Sequence, residues 1–253
     1  MSTLSRLLLI GTILTAVHAP PVVWASSFSV EPVRVILDVQ HRTERLVVKN
    51  ESDRPLTLLV KSYRWTQPHS GTDTYVESED LIIFPRALTL AAGEERSVRV
   101  GLSAPSEQTE QAFRIYLQEQ PIKDEETPKG ASTRVVMRLG IPVFAQPLKP
   151  EAVVKVDDLH VAKGAVHHTF TNEGNSFVTT EEITIKGTDA AGTELFTKGV
   201  GGFYLLAGGS RTFDVAFPAE SCSRLSTISV TTRNGGKVQQ KTLKVSSEAC
   251  EGK

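Results

Sequence analysis

TRVVMRLGIPVF, residues 133–144, sets Val135, Met137, Leu139, Ile141 and Val143 at alternate positions. Side chains of an extended chain point to opposite faces in turn, so these five share one face of a strand. Arg134 and Arg138 fall on the other face, which suits a strand at a surface. The segment before it, PIKDEETPKGAS (121–132), is polar and charged, with no apolar periodicity. The segment after it, AQPLKP (145–150), carries two prolines. An apolar strand placed beside such a loop is poorly suited to a closed core. Left uncovered it is an aggregation hazard and invites self-association. Adding it to the sheet of another protein removes the hazard, because main-chain hydrogen bonds then give affinity and alternate side chains fill pockets. Burying Val135, Met137, Leu139 and Ile141 in this way would gain about 6–12 kcal/mol gross, part of it lost to ordering.

Outward from this strand, the chain alternates branched apolar and polar residues almost everywhere. The first half reads as strands at FSVEPVRVILD, ERLVVKN, LTLLVKSYRW, LIIF, RSVRVGL and AFRIYLQE, then TRVVMRLGIPVF. Turn signals separate them at Asn50–Asp53, Pro68–Asp73, Ala91–Gly93 and Ser103–Ser106. The second half repeats the pattern at EAVVKVDDLHV, AVHHTFTN, FVTTEEITIKG, TELFTKG, RTFDVAF and a terminal hairpin. Two all-β, immunoglobulin-like sandwiches are expected, at 26–147 and 148–253, with the boundary in the proline-stiffened Gln146–Pro150.

Residues 1–25 read as a secretory leader: Arg6, the apolar run LLLIGTIL, and Val23 and Ala25 at the −3 and −1 positions of a cleavage site. The apolar run is short for a membrane span, and no later segment is apolar enough to be one. A formal net charge of −1 argues against nucleic acid as a partner. The only cysteines, Cys222 and Cys250, are expected to pair in an exported chain. The turn Asn234-Gly235-Gly236 joins RLSTISVTTR to KVQQKTLKV, and a two-residue loop there brings Cys222 opposite the immediate neighbour of Cys250.

Catalytic chemistry finds no foothold. His167 and His168 are adjacent on a strand and face opposite ways, so they do not share a ligand site. His41, His69 and His160 have no partner at metal-binding spacing, and there is no nucleophile elbow or P-loop. No catalytic residue, metal or cofactor is expected. Asn50-Glu51-Ser52 fits a glycosylation pattern, but a turn role is the better reading. Two arginines stand out as carboxylate-binding forks: Arg34, which interrupts the apolar first strand, and Arg86, after Phe84-Pro85.

Three segments together resemble the PapD-like periplasmic chaperones of chaperone–usher pilus assembly: VEPVRVILD with Arg34, IIFPRALTLAAGEERSVRV, and RLGIPVFAQP. The resemblance extends over the mature chain in length and layout. It implies two immunoglobulin-like domains in an L, or boomerang. It implies a non-enzymatic periplasmic protein that completes the unfinished sandwich of a pilin subunit with its G1 strand, here Thr133–Phe144. It further implies delivery of that subunit to an outer-membrane usher. Val135, Met137, Leu139 and Ile141 are the corresponding donor residues. Arg34 matches a cleft arginine that holds the subunit's terminal carboxylate. The family's cleft lysine falls on Pro142, which looks more like the archaic branch, and Arg86 is the expected substitute anchor. Gln146 stands where the family often has a basic residue in an interdomain ion pair. Two other readings compete. A pilus subunit or adhesin would be one domain with an N-terminal donor extension. A carbohydrate-binding sandwich would need an exposed aromatic platform, for which Trp65, Tyr63 and Tyr75 are the candidates.

Overall fold

In the computed structural model, residues 24–25, 27–68, 72–103, 108–121 and 134–246 are described. Most of the expected leader lies outside them, with His69, Thr133, Cys250 and the loop after Pro121. The first domain contains β1 (Trp24–Ala25), β2 (Phe28–Glu31), β3 (Val35–Leu37), β4 (Thr43–Asn50), β5 (Leu56–Thr66) and β6 (Thr74–Glu77). It continues with β7 (Leu81–Phe84), β8 (Ala87–Leu90), β9 (Glu95–Leu102), β10 (Gln111–Gln120), β11 (Arg134–Val135) and β12 (Arg138–Ala145). One sheet has the order β2-β4-β9-β7; the facing sheet runs β3-β12-β10-β5-β6, with β8 also on β5. Alternation explains the packing: Leu46, Val48, Leu58, Val98, Val100, Phe113, Ile115 and Leu117 point between the sheets and are fully buried.

Two expected strands are each split. FSVEPVRVILD becomes β2 and β3, which pair in different sheets. Pro32 has no N–H to give to a ladder, and the chain changes sheets there. TRVVMRLGIPVF breaks at Val136–Met137 into β11 and β12. At the break the buried Glu119 takes over the pairing. Its N–H donates to Met137 O at 3.0 Å, and its Oε2 accepts from Met137 N–H at 3.2 Å.

The second domain has seven strands, as the sequence implied: β13 (Val154–Ala162), β14 (Ala165–Asn172), β15 (Val178–Thr188), β16 (Glu194–Leu205), β17 (Ser210–Ala216), β18 (Thr227–Asn234) and β19 (Lys237–Lys244). They form sheets β13-β14-β17 and β16-β15-β18-β19. In the last hairpin Asn234 pairs with Lys237, so the loop is Gly235-Gly236, at φ 54° and 80°. That left-handed backbone is one glycine adopts without a Cβ penalty. Cys222 sits half-buried in a short 3-10 helix, Ala219–Arg224, and is not a free thiol.

Each domain uses a buried asparagine at the end of a strand, Asn50 of β4 and Asn172 of β14, to tie down loops. Asn50 Nδ2 donates to the carbonyls of Arg54 and Ala91, and its Oδ1 accepts from Ser52 N–H. Asn172 Nδ2 donates to Ser176 and Leu206, and its Oδ1 accepts from Val153 and Gly174. The sequon asparagine is therefore structural.

His167 and His168 do face opposite ways. His167 bonds Asp214 at 2.6 Å at the surface. His168 is fully buried between Phe170 and Phe213, with neither ring nitrogen hydrogen-bonded. Burial pushes its imidazole down to about 4 from 6.5. The unfolded chain therefore takes up a proton below pH 6.5 that the folded domain refuses until about pH 4. Stability present above pH 6.5 is lost as pH falls across that window, by up to about 3 kcal/mol. Thermal unfolding of the second domain should fall on acidification from pH 6.5 to 4, and His168→Phe should flatten that dependence.

Candidate functional site

The outer face of the β3-β12-β10-β5-β6 sheet carries the side chains that the core does not use. On β10 these are Ala112, Arg114, Tyr116 and Gln118, alternate to the buried Phe113, Ile115 and Leu117. Arg138 of β12 stacks on Tyr116 with its guanidinium carbon 3.7 Å from the ring centroid. Arg114 stacks on Trp65 at 4.5 Å and reaches Tyr75 at 5.6 Å. Gly140 permits this layer: a Cβ there would lie 2.8 Å from Tyr116 and 3.2 Å from Arg114.

The strand register aligns the cations. Pro142 on β12 is the cross-strand partner of Arg114, which is in turn the partner of Tyr63. On the other side of β12, Val35 pairs with Val143, so Arg34 stands level with Pro142. Arg34 and Arg114 thus flank Pro142 in one row across the sheet. Arg34 lies over Phe177 of the second domain at 5.9 Å. Half-buried Arg114 has no acceptor for its Nε–H, and buried Trp65 none for its Nε1–H. Each such orphan donor costs about 1–3 kcal/mol, so an anion is the chemical complement of this row. Sequence reading missed Arg114. The signal was present in AFRIYLQE, whose alternation puts Arg114 on the outer face beside the strand that lacks a cation.

Arg86 is not in this row. It sits between β7 and β8 and is forked with Glu79, which it holds below the ordinary carboxylate range. The structure does not bring Arg34 and Arg86 together: Arg86 stands outside the row in a surface ion pair with Glu79.

The apolar face of TRVVMRLGIPVF grades from core to surface. Ile141 is 1% exposed inside the first domain's core, so it is not available to a partner and leaves the donor set. Leu139 and Met137 are half-buried against the rim of that core. Val135 is 47% exposed. The chain's own N-terminal segment pairs with this strand at its two ends. β3 pairs in parallel with Val143–Ala145, and β1 pairs in parallel with Arg134–Val135. Between them, residues 136–142 have no neighbouring strand on the side away from β10 among the described residues.

The domains meet in an aromatic cluster. Phe144 stacks on Phe177 with centroids 3.7 Å apart, and Trp65, Tyr75 and Tyr204 surround them. Gln67 donates to Tyr204 O at 3.1 Å and accepts from Leu206 N–H at 3.0 Å. Trp65 is only 3% exposed and packs with Tyr75 in this junction, while Tyr63 lies outside it against Tyr116 and Arg138, so the three do not form an open platform. The described residues contain no cluster of three metal-binding side chains, and no helix of theirs is long and apolar enough to cross a membrane.

On the opposite sheet, edge strand β7 exposes Ile82 and Phe84, the latter 73%. With Arg99, Arg42 and Leu102 they line an apolar notch of about 440 Å³.

Residues 27–151 match the family model of the pili and flagellar-assembly chaperone, PapD N-terminal domain. Through this domain the chain belongs to the PapD-like pilus-chaperone family. Solved structures with the same architecture include a chain of the CsuC–CsuE chaperone–tip adhesion subunit pre-assembly complex, from archaic chaperone–usher Csu pili of Acinetobacter baumannii. It is 17% identical, covers 85% of this chain and 97% of its own, and has a TM-score of 0.58. A chain of the Salmonella enterica SafA pilin–SafB chaperone complex is 12% identical, with coverage of 89% and 99% and a TM-score of 0.56. The class 5 fimbriae chaperone CfaA is 14% identical, with coverage of 87% and 100% and a TM-score of 0.55. At these identities the likeness establishes the PapD-like two-sandwich fold. No curated protein matches the chain.

Proposed function

We propose that this PapD-like protein is a non-enzymatic periplasmic chaperone that captures pilus subunits by adding β11–β12 to their unfinished sandwich. The observation that carries the reading is the open edge at residues 136–142, flanked by the graded apolar row Val135, Met137 and Leu139. The subunit's strand pairs along that edge, and the three side chains enter its apolar groove. Arg34 and Arg114 hold its terminal carboxylate by charge-assisted bonds. Folding of the subunit onto the strand supplies the driving force, and displacement of the strand by another subunit's extension releases it. Cleavage after Ala25 removes β1 and clears the edge at Arg134–Val135. A Cys222–Cys250 disulfide staples the terminal hairpin. When no subunit is bound, the same edge favours self-association.

Handing the subunit to an outer-membrane usher needs a surface that stays free while β12 is engaged. The Ile82–Phe84 notch on the other sheet has that property. Phe84→Glu is expected to leave subunit capture intact and abolish usher docking, read by pull-down of the chaperone–subunit complex on an usher N-terminal domain. Unchanged docking would remove the notch from the account. The reading as a whole is tested by co-expression in a bacterial periplasm with the neighbouring pilins. A one-to-one complex supports it, and a chaperone that purifies alone with each pilin contradicts it.

A further inference from the structure

Glu110 is a carboxylate built into the domain junction. It is 8% exposed and precedes β10. Its oxygens accept from Phe177 N–H at 3.0 Å and Ser176 Oγ–H at 3.1 Å, both in the second domain. Its own N–H donates to Asn175 O at 2.9 Å. The Gln146 side chain also hydrogen-bonds it. All of these partners are neutral. It lines a junction cavity of about 240 Å³ with Arg64, Gln67 and Gln111 from the first domain and Leu206 and Ala207 from the second. Arg64, the one cation there, is committed to Asp80 at 2.6 Å. Nearby Asp73 accepts from Gln67 at 2.8 Å. Second-domain groups Asn175, Ser176 and Phe177 bring no charge, and Lys149 and Glu151 meet Asn175 through backbone atoms.

We propose that Glu110 is a proton-operated latch between the two domains, closed when its carboxyl is protonated and loosened when it ionises. Gln146 suits the role because an amide can accept from the carboxyl O–H or donate to the carboxylate, whereas an arginine would hold only the ionised form. The bonds from Phe177, Ser176 and Gln146 favour the ionised form, but burial, the largest influence, outweighs them and raises the Glu110 carboxyl to about 7 from 4.5. With the folded value above the unfolded one, the latch's contribution is full below pH 4.5. It is lost as pH rises through about 7. The segment it grips, 175–177, carries Phe177, which lies under Arg34 and stacks on Phe144. Loosening it disturbs the floor of the proposed carboxylate site, so subunit capture becomes pH-dependent; this last step rests on the function proposed above.

The test is backbone hydrogen exchange on the full mature chain, corrected for intrinsic rates. Protection of the Phe177 amide is expected to fall about tenfold between pH 6 and pH 8. Glu110→Gln should abolish that dependence by remaining neutral, and Gln146→Arg should abolish it by compensating the charge. A wild-type protection that stays flat from pH 5 to 8, or a fall that persists in both variants, overturns the latch. Subunit affinity measured in parallel at pH 6 and pH 8 separates the two ideas. Exchange that follows the prediction without subunit binding at either pH would sink the chaperone reading and leave the latch standing.

Discussion

Val135→Glu and Leu139→Glu are each expected to weaken subunit capture by about 10–100-fold, and together to abolish a detectable complex. Each apolar side chain contributes about 1.5–3 kcal/mol when buried, and each 1.4 kcal/mol is tenfold in affinity. A carboxylate placed in an apolar groove adds a desolvation cost. Val135 is the cleaner site. It is already half exposed, so the substitution should leave thermal unfolding of the free protein within about 0.5 kcal/mol. Leu139 touches the first domain's core and needs that stability control. Ile141→Glu behaves differently. It should fail to fold, because the side chain belongs to the core. Isothermal titration or a competition pull-down checks the affinity, and unaltered binding by the Val135 variant would remove the donor row.

Arg34→Ala and Arg114→Ala carry the second large effect. A hydrogen bond to a charged group is worth about 1.5–3 kcal/mol, so each should cost about 10–100-fold in subunit affinity. Deleting the subunit's terminal carboxylate should abolish the difference between wild type and variant. Arg114→Lys should restore part of the loss, since it keeps the charge without the bidentate fork. Arg86→Ala is expected to leave binding unchanged, because Arg86 is forked with Glu79 away from this row. If Arg86 mattered and Arg114 did not, the anchor would lie outside the Arg34–Pro142–Arg114 row.

Much of this was legible in the residues. Period-two alternation located the long strands, because burial on one face leaves a direct record in sequence. The Gly235-Gly236 turn fixed the last hairpin's register, because few residues tolerate its backbone. What stayed hidden was set by tertiary context. Strands β6 and β8 are short edge elements whose pairing with β5 depends on a distant segment. Ile141 shares its periodicity with Val135, and only the depth of β12 in the sandwich separates core from donor. Arg86 and Arg114 are equally good forks in isolation. Cross-strand register places Arg114 beside Pro142, and register is a relation between segments that no local pattern carries. Glu110 likewise looks like an ordinary surface acid until the second domain folds over it.

A subunit strand that pairs with the open edge of β12 shields the amides along that edge. The most direct measurement is residue-resolved amide exchange of the chaperone, alone and in complex with a pilus subunit. New protection is expected within residues 136–142, with β7 unchanged. Protection confined to β7 or to the second domain, with residues 136–142 exchanging as in the free protein, would contradict it.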